Sequence, residues 1–188
     1  DSNAGTSESA AWKTFANLKG KQFTAGDKIL LKAGCIWNDQ KLEITGAVGT
    51  KENPVVLGKY GDGANPIING NGSSWLTDRS NLKKEDVAAV HVKDSKYVTI
   101  ENLEVTNWES DAEDLMGETG GKVKFDQSKY MLTGILVENH DAGELPGIVI
   151  QNNYVHDVNG YMSQNGSEGH KKGSGGIMVL VTGGTTES

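Results

Sequence analysis

Short runs in which apolar and polar residues alternate recur along this chain, separated by turn-forming residues. The clearest pair lies in residues 132–158, where Gly134–Val137 and Gly147–Ile150 are joined by a polar turn. A period of two residues buries one face of an extended segment, which is typical of a β-strand. Residues 90–107 follow the same plan, and residues 175–181 begin it again. The repetition predicts a coil of strand–turn units.

Residue-for-residue matches support the repeat. Three pairs lie 50, 45 and 42 residues apart: Asn102 and Asn152, Val92 and Val137, and Ile135 and Ile177. One turn of a parallel β-coil takes about 20–25 residues, so each interval indicates either two turns or one turn with a long loop. The asparagines would then stack at one corner and hydrogen-bond along the axis. Two unrelated turn asparagines are the alternative.

Residues 1–50 predict an N-terminal cap followed by the first turn. Segment 7–18 predicts a helix, because Ser7 or Ser9 can cap it and Trp12, Phe15, Ala16 and Leu18 give it an apolar stripe. A cap of this kind would shield the open end of a solenoid.

Residues 51–188 predict the turns of the coil, interrupted by loop insertions at 73–86, 108–131 and 159–174. Insertions that leave a regular scaffold are often the walls of a functional site. The last predicted strand is followed by no cap. We therefore expect the coil to be incomplete at its C-terminal end and to continue in a longer chain or against another polypeptide.

Composition and charge narrow the function classes. The chain has 188 residues, 25 of them glycine and three of them proline, which is typical of a turn-rich all-β domain. Its net charge of −7 disfavours nucleic-acid binding, which needs a basic face. No apolar run approaches the roughly 18–20 residues that span a membrane.

Three motifs together resemble the right-handed parallel β-helix, or pectate-lyase-like, superfamily. They are the run Asp1–Gly34 ending in AGDKILLKAG, the run Asn53–Gly72 (NPVVLGKYGDGANPIINGNG), and the two units YVTIENLEV and IVIQNNYVHDV. The first two are similar to the opening of extracellular β-helical glycoside hydrolases of the fucosidase/xylanase type. In those hydrolases the catalytic carboxylates lie on later coils.

The resemblance implies a secreted or cell-surface enzyme that acts on a polysaccharide or oligosaccharide, with glycoside hydrolysis as the first expectation. One alternative is a polysaccharide lyase, in which Ca²⁺ assists β-elimination on a uronate. The other is a non-catalytic glycan-binding or adhesin module, since this fold hosts many functions.

Two His–Asp pairs directly follow predicted strands. We take Asp141, His156 and Asp157 as candidate catalytic residues and His140 as a candidate substrate-binding residue. Sugar hydrolysis uses paired carboxylates, and a histidine beside an aspartate can titrate near neutrality. The alternative is that all four are turn residues that bind backbone amides. If these four side chains share one face of a sheet, a catalytic role is favoured over the turn-residue alternative.

Further candidates lie in the predicted loops. Trp108, Tyr130 and Tyr161 could pack on the apolar faces of sugars or against the scaffold, and Lys171 and Lys172 could meet an acidic sugar. A possible Ca²⁺ site is the acidic set Glu109, Asp111, Glu113 and Asp114, which lacks the spacing of an EF-hand. A solvated loop is the alternative for the charged groups.

Overall fold

The strands of this protein form three parallel sheets. The computed structural model describes residues 1–77, 84–109, 132–140, 142–159 and 174–182. In these ranges the helices are short 3-10 helices, at Glu8–Ala10, Phe15–Leu18 and Lys84–Val87. None of the helices that the structure describes is long and apolar enough to cross a membrane. The predicted all-β class is confirmed.

Each sheet contains every third strand. The strands in chain order are β1 (Lys28–Lys32), β2 (Ile36–Asn38), β3 (Leu42–Thr45), β4 (Val55–Tyr60), β5 (Ile67–Asn69), β6 (Ala88–Lys93), β7 (Val98–Glu101), β8 (Glu104–Asn107), β9 (Thr133–His140), β10 (Val149–Gln151), β11 (Tyr154–Val158) and β12 (Gly175–Thr182). The first sheet has the order β1-β4-β7-β10, the second β2-β5-β8-β11 and the third β3-β6-β9-β12. The chain therefore visits the three sheets in the same sequence again and again.

The sheet register confirms the predicted residue matches. Val92 lies opposite Val137, and Ile135 lies opposite Ile177. The pairing of Thr99 with Val149 puts Asn102 and Asn152 at equivalent corners. Since these partners lie on adjacent strands of one sheet, each interval is one turn of the chain with a long loop, not two turns.

The corner asparagines act differently from the predicted ladder. Asn102 and Asn152 both have a left-handed backbone, with φ of 56° and 54°, a conformation that asparagine tolerates better than most residues. The side chain that joins successive turns belongs to Asn153, whose Nδ2 donates to the Ile100 carbonyl at 2.9 Å and whose Oδ1 accepts from the Leu103 N–H at 3.0 Å. The position of the corner was predicted correctly, whereas the residue whose side chain hydrogen-bonds to the next turn was not.

Apolar side chains from all three sheets meet in one core. Alternate positions along each strand point inward, so equivalent residues on successive strands stack in rows. These rows include Ile29, Leu57 and Ile100 in the first sheet, Ile68 and Val105 in the second, and Leu42, Val90 and Ile135 in the third. Each buried side chain of this size contributes about 1.5–3 kcal/mol.

The N-terminal segment contradicts the predicted amphipathic helix. Two short 3-10 helices replace it, because Ala11 is extended, with φ −65° and ψ 151°, and interrupts any helix. The Asp1 carboxylate accepts hydrogen bonds from the N–H groups of Lys13 (2.8 Å) and Thr14 (3.2 Å), which an α-helix would need for itself. Hydrogen bonding to the side chain of Asp1, 12 and 13 residues earlier in the chain, thus outweighs the apolar periodicity.

The predicted apolar contacts of this segment nevertheless form. Phe15 stacks on Trp37 with ring centroids 5.8 Å apart, and Leu18 is buried in the core cluster. The predicted division into a cap at 1–50 and turns at 51–188 remains a prediction.

Candidate functional site

The longest connections all join the second sheet to the third. They run from β5 to β6, from β8 to β9 and from β11 to β12, whereas only residues 39–41 separate β2 from β3. The predicted insertions therefore leave the coil at one corner, and the outward faces of the second and third sheets lie on either side of it.

Buried asparagine amides fix the bases of these connections. The Asn107 Nδ2 donates to the carbonyls of Val87 (2.8 Å) and Thr133 (3.1 Å), and its Oδ1 accepts from the Ser73 N–H at 2.9 Å. One side chain thus binds both ends of the β5–β6 connection and also the start of β9, where the β8–β9 connection ends.

A second asparagine, the half-buried Asn159, also links two successive turns at this corner. Asn159 accepts from the Glu109 N–H and donates to the Glu109 carbonyl, both at 2.8 Å. The two amides link three successive turns at the corner where the insertions leave.

The structure separates the two predicted His–Asp pairs. His156 and Asp157 lie on β11 in the second sheet, while His140 ends β9 in the third sheet. His140 and His156 therefore lie on different sheets and do not share a face. Trp108 directly follows β8 and is 36% exposed. Five predicted residues lie outside the described residues: Asp141, Tyr130, Tyr161, Lys171 and Lys172.

His156 lies at the centre of an outward-facing group on β8 and β11, which we call the His156 cluster: Glu104, Tyr154, His156 and Asp157. Its Nδ1 is 2.9 Å from Asp157 Oδ2 and its Nε2 is 3.1 Å from Glu104 Oε1. The imidazole also stacks on the Tyr154 ring, with centroids 4.1 Å apart and planes at 20°. A histidine, a tyrosine and two carboxylates thus form one connected surface group.

An irregularity in β11 places Asp157 beside the imidazole. The pairing of β11 with β8 shifts between Val155 and Val158, and Asp157 has a left-handed φ of 46°. Such irregularities commonly redirect side chains near functional sites. Here the shift lets two consecutive residues, His156 and Asp157, contact each other.

The two carboxylates favour the charged form of His156. Partial burial lowers the pKa of His156, but the hydrogen bonds with Glu104 and Asp157 raise it, and the net direction is upward. In the charged form both ring nitrogens donate, so the imidazolium has no nitrogen available to accept a proton from a substrate. In this geometry His156 links the two carboxylates, and its catalytic role stays a prediction.

Glu104 was missed by the sequence analysis, although a signal for it was available. The 50-residue match between Asn102 and Asn152 also places Glu104 opposite Tyr154, and the sheet register shows this pairing. Glu104 lies within a strand, whereas the predicted site residues follow predicted strands.

A second polar group, also missed, spans three strands of the third sheet. We call it the His91 row: Glu43 on β3, His91 on β6 and Glu138 on β9. His91 Nδ1 lies 3.2 Å from Glu43 Oε2, and its Nε2 lies 2.9 Å from Glu138 Oε2. The side chains of His91 and Glu138 are 2% and 0% exposed, although both point away from the apolar core.

Basic side chains surround the His91 row. The hydrogen bond with His91 lowers the pKa of Glu43 to about 2, more than partial burial raises it, and Lys41 lowers it further. Lys93 Nζ lies 3.5 Å and His140 Nδ1 3.8 Å from Glu138 Oε1. The predicted residue His140 thus lies at the edge of this row, with its backbone N–H donating to Asp94.

The possible Ca²⁺ site stays a prediction. No group of three or more His, Cys, Asp or Glu side chains that could hold a metal ion occurs among the residues that the structure describes. Asp111, Glu113 and Asp114 of the predicted acidic set lie outside those residues, and Glu109 is bound to Asn159.

Fold and site together define an all-β protein of parallel sheets that carries acidic and aromatic groups on its outward faces. No model of a known protein family matches the chain. The chain is similar to a lacto-N-biosidase from Bifidobacterium longum subsp. longum, with 31% identity over an alignment of 182 residues, and the match covers 85% of this chain and 11% of that protein.

Solved structures agree with this similarity. The crystal structure of a GH136 lacto-N-biosidase from Eubacterium ramulus, a selenomethionine derivative, matches with a TM-score of 0.68 and 28% identity over 96% of this chain and 28% of that chain. The native crystal form gives a TM-score of 0.67. The chain spans about a tenth of the length of the curated relative. The expected kinship with glycoside hydrolases is confirmed, and the fucosidase/xylanase type stays a prediction.

Proposed function

We propose that this chain is part of a glycoside hydrolase that acts on an oligosaccharide containing a lacto-N-biose unit. The observation that carries this proposal is the similarity to a lacto-N-biosidase structure over 96% of the chain at 28% identity. A match in both sequence and fold over nearly the whole chain is stronger support than fold alone, because unrelated functions share folds.

The sheet arrangement supports a right-handed parallel β-helix of the pectate-lyase-like kind. Each strand pairs in parallel with the strand three positions further along the chain. Connections between parallel strands of one sheet are right-handed in about 98% of cases.

Exposed apolar side chains on β12 support the proposal that the coil continues in a longer chain. The register with β9 puts Ile177 and Val179 in line with the buried Ile135 and Val137, yet they are 51% and 76% exposed. A further parallel strand beside β12 would bury both side chains and would pair with the backbone N–H and C=O groups at the edge of β12. The matching segment is 11% of the length of one relative and 28% of the length of another, which fits the expectation of a longer chain.

A secreted or cell-surface location is part of the same proposal. An enzyme that cleaves an oligosaccharide too polar to cross a membrane unaided would meet its substrate outside the cell. The resemblance of Asp1–Gly34 and Asn53–Gly72 to extracellular hydrolases supports this location.

Product analysis tests the proposed function. The longest chain that contains this sequence is incubated with a chromogenic lacto-N-biose glycoside and, separately, with a uronic-acid polysaccharide. We expect release of the chromophore from the first substrate and no ultraviolet-absorbing unsaturated product from the second. Unsaturated products would favour the lyase, and binding of glycans without any product would favour the adhesin module. Either result would overturn the proposal.

A further inference from the structure

We propose that the outward face of the second sheet binds neutral, hydroxyl-rich saccharides, with Tyr154 as the aromatic anchor. This inference rests on the proposed function for the class of its ligand, and it assigns that ligand to particular residues. The face combines a rigid aromatic ring, a hydrogen-bonded polar ladder and a charge pattern that disfavours acidic sugars.

The register defines which side chains share this face. Trp37, Ile68, Val105 and Val155 occupy equivalent positions and pack against the core. The positions on either side of them point outward, because side chains alternate along a strand. One outward row ends in Glu104 and Tyr154, and the neighbouring row contains Asn38, Asn69 and Thr106.

The polar row is an ordered ladder. Asn69 Nδ2 donates to Asn38 Oδ1 at 3.0 Å, and Thr106 Oγ1 donates to Asn69 Oδ1 at 3.0 Å. Strand spacing sets the rungs of this ladder about 4.8 Å apart. An amide NH₂ has two donors, and within the described residues the NH₂ of Asn38 donates no hydrogen bond. The ladder thus presents donors and acceptors in fixed positions along the coil axis.

Tyr154 supplies the flat surface on which a sugar ring can pack. It is 58% exposed, and the stacked imidazole of His156 holds its other side at 4.1 Å. An aromatic ring offers a large apolar area with a polar tip. Because stacking already restricts the ring, binding costs less conformational entropy.

The charges on this face select against acidic ligands. The cluster contains two carboxylates, Glu104 and Asp157, and one imidazole, so its formal charge is negative whether or not His156 carries a proton on both nitrogens. The outward positions of the four strands carry no lysine or arginine. A carboxylate ligand would therefore be repelled, whereas sugar hydroxyls can donate to Glu104 and Asp157 in charge-assisted hydrogen bonds.

Binding measurements with the full chain test this inference. The probes are lacto-N-biose and, as an acidic sugar of similar size, digalacturonate, each titrated by calorimetry or by ligand-observed NMR. We expect lacto-N-biose to bind and digalacturonate to bind at least tenfold more weakly. The variant Tyr154→Ala should weaken lacto-N-biose binding about tenfold, while Tyr154→Phe should retain it.

A matched control separates this face from a general loss of aromatic surface. Tyr60 lies on β4 in the first sheet, so Tyr60→Ala should leave binding unchanged. Unaltered affinity in Tyr154→Ala, equal loss in Tyr60→Ala, or tighter binding of digalacturonate would each overturn the inference.

Hydrolysis measured on the same variants distinguishes this inference from the proposed function. Binding that depends on Tyr154 without any hydrolysis would contradict the hydrolase and leave the saccharide-binding face supported. If the protein hydrolyses its substrate but Tyr154→Ala does not change lacto-N-biose binding, the proposed binding face is overturned and the hydrolase remains supported.

Discussion

Single residues at the corners of the coil satisfy demands that the backbone makes. Asn152 lies between β10 and β11 with a φ of 54°. Most side chains are strained in this region, by about 1–2 kcal/mol, and asparagine and glycine are the exceptions. The equivalent residue one turn earlier, Asn102, has nearly the same φ of 56°. The repeated asparagine is therefore explained by backbone conformation.

Substitutions at Asn152 test this explanation. We predict that Asn152→Ala lowers the free energy of unfolding by about 1 kcal/mol, and that Asn152→Gly changes it by less than about 0.5 kcal/mol. Urea unfolding followed by circular dichroism measures both. Equal losses for alanine and glycine would mean that the side chain, and not the backbone, is what the corner requires.

Protonation of Glu43 should affect stability in acid. Its pKa is 4.5 when unperturbed and about 2 in the folded protein. A lowered pKa contributes stability that is present above about pH 4.5 and is lost as the pH falls toward 2. Because Glu43 is half exposed, solvent screening limits this contribution to about 1 kcal/mol.

The variant Glu43→Gln isolates this contribution. We predict that Glu43→Gln is less stable than the wild type at pH 6, and that the difference disappears near pH 2. Thermal unfolding from pH 2 to 6 measures it, with the exposed Glu52→Gln as a control that should follow the wild type throughout. A difference between Glu43→Gln and the wild type that does not vary with pH would contradict the explanation that the lowered pKa of Glu43 stabilises the fold.

At the scale of elements, the same corner of each turn carries both the insertions and their anchors. Asn107 is buried and binds two carbonyls and one N–H from two successive connections, β5–β6 and β8–β9. Removal of its amide would take one hydrogen bond from each of these three buried groups, at about 1 kcal/mol or more for each bond. The Val87 carbonyl would keep its hydrogen bond from the Ser73 hydroxyl at 2.9 Å.

We predict that Asn107→Ala lowers the free energy of unfolding by about 3 kcal/mol or more. The half-buried Asn17, whose amide donates to the Asp1 carbonyl in a solvent-exposed hydrogen bond, gives a matched control, and Asn17→Ala should cost less than about 0.5 kcal/mol. Chemical denaturation of both variants checks this prediction. Similar losses at the two sites would show that Asn107 does not anchor the connections.

Local patterns predicted the elements better than they predicted the contacts between elements. The alternation in Gly134–Val137 and the matches of Val92 and Ile135 identified both the strands and their neighbours, because a coil stacks equivalent residues. The N-terminal helix was wrong, because Asp1 competes for backbone N–H groups from a distance that periodicity does not reveal.

The candidate site was only partly predictable for the same reason. His156 and Asp157 are adjacent in sequence and were found, whereas Glu104 lies 52 residues away from His156 and contacts it only through the sheet register. The His91 row also combines residues from three turns. Such groups become visible only when the register of the whole coil is known.

At the scale of the whole molecule, these features fit a β-helical enzyme that binds a neutral oligosaccharide along its outer surface. Backbone hydrogen bonds set the spacing of the strands, and this spacing sets the polar ladder and the His156 cluster. The similarity to lacto-N-biosidases over 85% and 96% of the chain supports our proposal that the reaction is hydrolysis.

Isotope labelling of the product tests whether the reaction is hydrolysis. The longest chain that contains this sequence is incubated in ¹⁸O-water with an oligosaccharide that ends in lacto-N-biose, and the products are analysed by mass spectrometry. Hydrolysis adds water across the glycosidic bond, so we predict released lacto-N-biose with one ¹⁸O atom at its new reducing end. An unlabelled, unsaturated product, or no product from a folded protein that binds the oligosaccharide, would contradict it.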